Sequence, residues 1–269
     1  MAAPTAASGG LVVIAQARSS GASTAAIALA SVWPRPVLVA ELDPAGGDIA
    51  TRFGLPANAG VLSLAAAGAT TLSPDKLAEH TQRADGLAVL VGPPGAEQAE
   101  AAMATLWTCL PRVLAALPGR DVMADCGRLG PASPVVHHVV PLAGVVVFIA
   151  RADREGFVRL HHRLVCSPPG ARAKAVIVLV GEGNAGCRAA DFERALGLKV
   201  LGALADDWRA ADLVSAGQIS GRSFRRSELA RSAQPIAHAL ALRAALTQGP
   251  QAPGVSANGS SAIPARTAR

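Results

Sequence analysis

Residues 11–25 read LVVIAQARSSGASTA. An apolar run at 11–15 stops abruptly, a small-residue loop follows at 17–22, and a helical pattern opens at Ser23 and Thr24. Strand, tight loop and helix start is how a phosphate-binding loop is built. The loop N–H groups and the positive end of the helix dipole converge on one point that suits an anion. The standard form, G-x-x-x-x-G-K-[ST], has a lysine before the hydroxyl residue. Ala22 stands there instead.

Outward from this stretch the chain alternates. A helix is predicted over 23–32, ended by Trp33 and Pro34. A strand at 37–42 leads into Asp43 and PAGGDIATRFGLP, where Gly46 and Gly47 turn the chain, Asp48 is placed to cap a short helix and Gly54 to close it. Short helices are read at 60–68 and 74–83, a strand at 87–92, a helix at 96–117 and a strand at 121–125 ending in Asp125. The run continues with a strand at 144–150, a helix at 153–165, a strand at 175–180 and a helix at 188–196. A last strand at 200–204 precedes Asp206 and Asp207, and a helix covers 227–246 with Pro235 inside it. Each strand is an unbroken apolar run, which implies burial on both faces. The predicted fold is therefore α/β, a three-layer sandwich with a mainly parallel sheet. One domain is read over 10–246, between a disordered start at 1–9 and a disordered Gly/Pro/Ser-rich tail at 247–269.

Composition narrows the classes. Apolar residues make up 51% and charged residues 16%, enough for a large core, with aromatics at only 3%. Of the 25 basic residues only Lys76, Lys174 and Lys199 are lysines, and the arginines are mostly scattered, so a net charge of +6 does not by itself imply nucleic acid. Cys109, Cys126, Cys166 and Cys187 show no metal-ligand spacing and read as reduced, mostly buried thiols of a cytoplasmic protein. The N-terminus has no secretory pattern, and the uncharged stretch 129–150 is broken by Pro131, Pro134 and Pro141, which argues against a spanning helix.

In a sheet of this kind ligands sit at the carboxyl ends of the strands. Asp43 and Asp125 lie at two such ends, beside the loop. Two carboxylates next to an anion site suit a Mg²⁺ ion bridged to phosphate, held largely through water. Asp is also favoured in turns, so each taken singly reads equally well as a turn cap.

The order of loop, apolar strand ending in D-P-x-G-G-D and apolar strand ending in Asp resembles the ParA/MinD family of deviant P-loop ATPases. ELDPAGGDIATRFGLP is the most specific piece, and VLGALADDWRAADLVSAG resembles the family's late strand. The family loop, K-G-G-x-G-K-[ST]-[ST], falls on Ala17, Arg18, Ser19, Ser20, Gly21, Ala22, Ser23 and Thr24. The resemblance implies an ATP or ADP site with Mg²⁺: nucleotide contacts from Arg18, Ser19, Ser20, Gly21, Ala22, Ser23, Thr24 and Asp206, the metal at Ser23 and Asp125, and Asp43 near the attacking water. It also implies a homodimer. Both family lysines are absent, at Ala17 and Ala22, and both early loop glycines are replaced. The family's adenine-side Asn falls near Gly181, and the Pro of its Pro-x-Asp falls on Ala205. Losing one preorganised group on a developing charge lowers turnover by about 10²–10³, so weak or absent hydrolysis is expected. Arg18 either restores charge to the loop or is an ordinary exposed arginine.

Degenerate members of the family serve as localisation or assembly factors of Tad-type pilus and secretion machinery, which is the first functional expectation. An active partition-type ATPase that binds DNA non-specifically is the second, through Arg222, Arg225, Arg226 and Arg231, which otherwise read as a solvated face. The tail lacks the amphipathic helix of the MinD branch, so no direct membrane insertion is expected. His137–His138 and His161–His162 read as solvated pairs rather than metal ligands.

Overall fold

The computed structural model describes residues 9–17, 20–68, 72–130, 132–181 and 187–246. In chain order these form β1 (Leu11–Gln16), α1 (Ala22–Ser31), β2 (Val37–Glu41), α2 (Ile49–Arg52), α3 (Val61–Ala66), α4 (Pro74–Glu79), β3 (Gln82–Ala84), β4 (Leu87–Leu90), α5 (Ala96–Leu106), α6 (Leu110–Ala115) and β5 (Asp121–Arg128). They continue with α7 (Pro134–His138), a 3₁₀ turn (Val140–Leu142), β6 (Val145–Arg151), α8 (Arg154–Val165), α9 (Pro169–Ala173), β7 (Ala175–Val180), α10 (Ala189–Leu196), β8 (Lys199–Leu204), α11 (Trp208–Ser215), α12 (Arg222–Arg225) and α13 (Glu228–Leu246).

The eight strands make one sheet in the order β3-β4-β2-β5-β1-β6-β7-β8. All neighbours pair in parallel except β3 with β4. Side chains alternate across it: Leu11, Val13 and Ala15 point into one core, Val12 and Ile14 into the other. The first core is closed by α3 to α10, through residues such as Leu64, Met103, Leu160 and Phe192. The second is closed by α1, α2 and α11 to α13, through Ile27, Ile49, Phe224 and Leu240. The result is the expected three-layer α/β sandwich with a P-loop NTPase-like sheet.

The N-terminal end of the sheet is locked by a buried carboxylate. Asp121 is 3% exposed. It accepts from Gly10 N–H at 2.7 Å, Trp33 Nε1 at 2.7 Å and Arg35 Nε at 2.8 Å. Gly9, assigned by sequence to the disordered start, is held by a bond from its N–H to the Leu117 carbonyl at 3.0 Å. The remaining residues of that start, 1–8, and the tail beyond 246 lie outside the described residues.

Three local expectations need correction. The helix expected over 74–83 stops at Glu79, and Gln82–Ala84 instead form the antiparallel edge strand, turned back at Asp85 (φ 46°) and Gly86 (φ 90°). The helix expected over 96–117 is two helices, because Pro111 cannot donate in a helix interior and instead sits in the first turn of α6. Of the four thiols only Cys126 is buried; Cys166 is exposed and Cys109 and Cys187 are intermediate.

Candidate functional site

β1 lies at the centre of the sheet, and its loop opens at the carboxyl end between β5 and β6. Register sets what stands beside it. Ile14 pairs with Asp125, and on the other side of β5 Asp125 pairs with Glu41. The chain end of β2 is pinned there by the Leu42 N–H, which donates to the Asp125 carbonyl at 2.7 Å. One level of three adjacent strands therefore brings together the loop, Asp125 and the segment carrying Asp43.

Asp125 is 1% exposed. One carboxylate oxygen accepts a 3.3 Å bond from Gly127 N–H, while Oδ2 has no hydrogen-bond partner among the described residues. Burial pushes this carboxyl up to about 6; the Ser23 hydroxyl and the Gly127 N–H pull it down, and Asp43 and Asp48 add repulsion. A buried carboxylate with one oxygen unpartnered among the described residues, on a side chain that also interacts with the Ser23 hydroxyl, is a suitable place for a hard cation. Ser23 and Asp125 thus fit the expected Mg²⁺ site, with water as the remaining ligands.

Asp43 accepts from Ala45 N–H at 2.8 Å, which shapes the first turn of the D-P-x-G-G-D segment. Its carboxylate lies flat against Gly127: a Cβ added there would stand 1.7 Å from Asp43 Oδ2, and φ is +57°. Burial raises the Asp43 pKa, partly offset by its Ala45 N–H bond and by Arg128. Asp43 and Asp125 are thus neighbours in space, as the sequence expectation requires.

Two residues that sequence reasoning passed over organise the site. Glu41 is 3% exposed. Its Oε1 accepts from Asp48 N–H at 2.7 Å and Ile49 N–H at 3.1 Å, and its Oε2 from Gly92 N–H at 2.8 Å. It straps the D-P-x-G-G-D loop to the end of β4. Gly47 is required by this strap, since a Cβ there would meet the Glu41 carboxyl carbon at 2.0 Å. Burial pushes Glu41 up to about 7, against the N–H donors of Ile49, Gly92 and Asp48 and with added repulsion from Asp125. Gln16 is the second. Its Oε1 accepts from Ser20 N–H at 2.6 Å and from Ala22 N–H at 3.4 Å. The signals were an acid inside the apolar run VLVAEL and a polar residue closing the run LVVIA.

The other nominated residues fall as follows. Arg18 and Ser19 lie outside the described residues. Gly21, in the left-handed conformation, precedes α1. Ala17 and Ala22, the two lysine positions, are 5% and 1% exposed. Thr24 Oγ1 accepts from Arg52 Nη1 at 3.2 Å, and Arg52 in turn makes two 2.7 Å bonds to Asp48. The Asp48 side chain therefore pairs with Arg52 rather than capping α2, correcting that expectation. Ser20, Gly21, Thr24, Arg151, Val180 and Asp206 line a cavity of about 240 Å³. Asp206 and Arg151 close one side of it with a 2.8 Å ion pair. Arg52 and Arg151, two cations beside the loop, are thus both committed to carboxylates, while Arg163 Nη2 reaches the loop backbone at the Ala17 carbonyl, 3.4 Å away.

Arg222, Arg225, Arg226 and Arg231 are all exposed, and the last two line a groove with Trp208. His138 stacks on Trp107 and His161 on Phe157. Among the described residues no three His, Cys, Asp or Glu side chains converge as a metal cage, and no helix is long and apolar enough to cross a membrane.

No family model matches the sequence, and no curated protein matches it. The structure does have close counterparts. It is similar to a ParA family ATPase from Chlorobium tepidum TLS, with a TM-score of 0.69 and 16% identity, covering 86% of this chain and 98% of that one. It is similar to the cell division ATPase MinD of Pyrococcus furiosus, with a TM-score of 0.64 and 14% identity over 86% of this chain and 97% of that one. The septum site-determining protein MinD of Pyrococcus horikoshii OT3, complexed with Mg-ADP, gives a TM-score of 0.56 and 12% identity over 88% and 97%. The chain has the fold of the ParA and MinD ATPases.

Proposed function

We propose that this chain is a degenerate MinD/ParA-like protein that hydrolyses ATP weakly or not at all and acts as a localisation or assembly factor for Tad-type pilus or secretion machinery. One observation carries the reading: the described parts of the cradle are in place while neither lysine position carries a cation. β1, Gly21, Ser23, Asp43 and Asp125 stand at the carboxyl end of the sheet, yet the two lysine positions are buried alanines and Arg52 and Arg151, beside the loop, are paired. A triphosphate placed there would face Asp43 and Asp125 without the two lysine charges that would help offset them.

Nucleotide in this reading is ATP or ADP, held weakly by Arg18, Ser19, Ser20, Gly21, Ala22, Ser23, Thr24 and Asp206. Mg²⁺ at Ser23 and Asp125 would neutralise phosphate charge. That the Pyrococcus horikoshii protein is complexed with Mg-ADP supports nucleotide and Mg²⁺ as the ligands in this reading. Asp43 is the residue nearest the role of orienting water. The chain acts as a homodimer through the carboxyl-end face of the sheet, in the cytoplasm, recruited to a cell pole or the inner membrane face by a protein partner. Titration with labelled ATP–Mg²⁺ tests the reading: micromolar binding with turnover near one per second would refute it.

The exposed arginines at 222, 225, 226 and 231 favour one second reading, an active partition-type ATPase that binds DNA non-specifically. It requires salt-sensitive retention on DNA that is lost in an Arg225→Ala, Arg226→Ala variant.

A further inference from the structure

Buried or concave backbone donors must be satisfied by something. In the loop after β1, the N–H groups of Ser20 and Ala22 both point at one atom, Gln16 Oε1, at 2.6 and 3.4 Å. Gln16 is the last residue of β1 and is held in place by pairing to Ile149 of β6 and, past a bulge, to Arg128 of β5. Its amide oxygen stands where these two donors converge. A carbonyl oxygen offers the same acceptor chemistry as a phosphoryl oxygen, without the net charge.

We infer that Gln16 is the resident occupant of the cradle, a specificity-determining residue whose amide oxygen takes the position of a phosphoryl oxygen and sets the threshold that an anion must overcome. The inference rests on the reading of this loop as a phosphate cradle that runs no reaction. A polyanion normally displaces a neutral amide because charge-assisted hydrogen bonds are roughly twice as strong and lysines add to them. With Ala17 and Ala22 in the lysine positions that advantage is reduced, and Asp43 and Asp125 oppose the incoming charge. Gln16 is tethered, so it competes at high effective concentration. The balance tips toward the internal ligand, which keeps the loop in its receiving shape.

The test compares the full chain with Gln16→Met, which keeps the side chain's length but removes the accepting oxygen, and with Gln16→Glu, which places an anion in the cradle. Mg²⁺–pyrophosphate and ATP–Mg²⁺ are titrated into each, and amide exchange is followed at Ser20 and Ala22. Releasing one competing hydrogen bond is expected to tighten pyrophosphate binding about three- to tenfold in Gln16→Met, with faster exchange at both amides. Gln16→Glu is expected to bind more weakly than the parent by a similar factor while both amides stay protected. Gln16→Ala replaces the methionine variant if that variant misfolds. A folded Met or Ala variant that shows no gain, including one that shows no binding at all, overturns the inference, and so does a Glu variant that binds as well as the parent. Failure of the non-hydrolysing reading shows separately, as ATP turnover by the unaltered chain.

Discussion

Raising the pH from about 5 to about 8 is expected to weaken the fold, and Glu41 is the main cause. In the unfolded chain this carboxyl ionises at its ordinary value of 4.5; in the fold, burial moves it to about 7. Between those values the native state holds a proton that the unfolded state has released. The contribution is therefore fully present below about 4.5 and is lost as pH rises through about 7. At about 1.4 kcal/mol per unit, the full change is about 3 kcal/mol, a large part of a typical domain's stability. Asp125 shifts in the same sense, from 3.8 to about 6. Asp85, exposed, and Glu193, half-buried, are lowered instead, from ordinary values already below this window. Urea denaturation across a buffer series, on the parent and on Glu41→Gln, reads this directly. The glutamine cannot ionise, so its slope with pH is expected to be shallower. It also turns an N–H₂ toward the Gly92 N–H, which costs about 1–3 kcal/mol at every pH. Stability that is flat or rising across the window, or an unchanged slope in Glu41→Gln, would refute the reasoning.

Asp121→Ala strands the Gly10 N–H and the Trp33 indole N–H; a loss of about 2–4 kcal/mol is expected in chemical denaturation, with no change in ligand binding. Gly127→Ala forces a Cβ into the Asp43 carboxylate at a left-handed φ, so a loss of about 1–3 kcal/mol is expected, together with a shift of the Ala45 amide resonance as its bond to Asp43 is disturbed. Mg²⁺ is expected to raise the melting temperature more at about pH 8 than at about pH 5, because it competes with the proton on Asp125. That increment is expected to vanish in Asp125→Asn when followed by differential scanning fluorimetry.

The seven parallel strands are legible in the sequence because an apolar run marks each; six are buried almost throughout, while β8, at the edge, is only partly so. β3 is not, since it is an edge strand of three residues, two of them polar, and no run marks it. The Asp85–Gly86 pair after it is a hairpin signal of known strength that a helical reading of 74–83 obscures. Pro111 marks the break between α5 and α6 just as plainly, yet the apolar period on either side runs through it. In the site, Asp43 and Asp125 are legible because each ends a strand. Glu41 is not, because Gly92, just beyond the neighbouring strand β4, meets it only in the folded sheet, and Gln16 is not, because its bonds to Ser20 and Ala22 form only when the chain turns back after β1. The pairing of Arg151 with Asp206 likewise depends on tertiary approach, whereas that of Arg52 with Asp48 is a local i,i+4 pair.

Phosphate release from ATP–Mg²⁺ by the purified chain tests most directly whether the cradle runs a reaction. Loss of two cationic groups, each worth about 10²–10³, from an ordinary turnover of about 10 per second leaves about 10⁻³ per second or less. Release at or below that rate is the expected result. Turnover near one per second by the unaltered chain, abolished in Asp125→Asn, would contradict it.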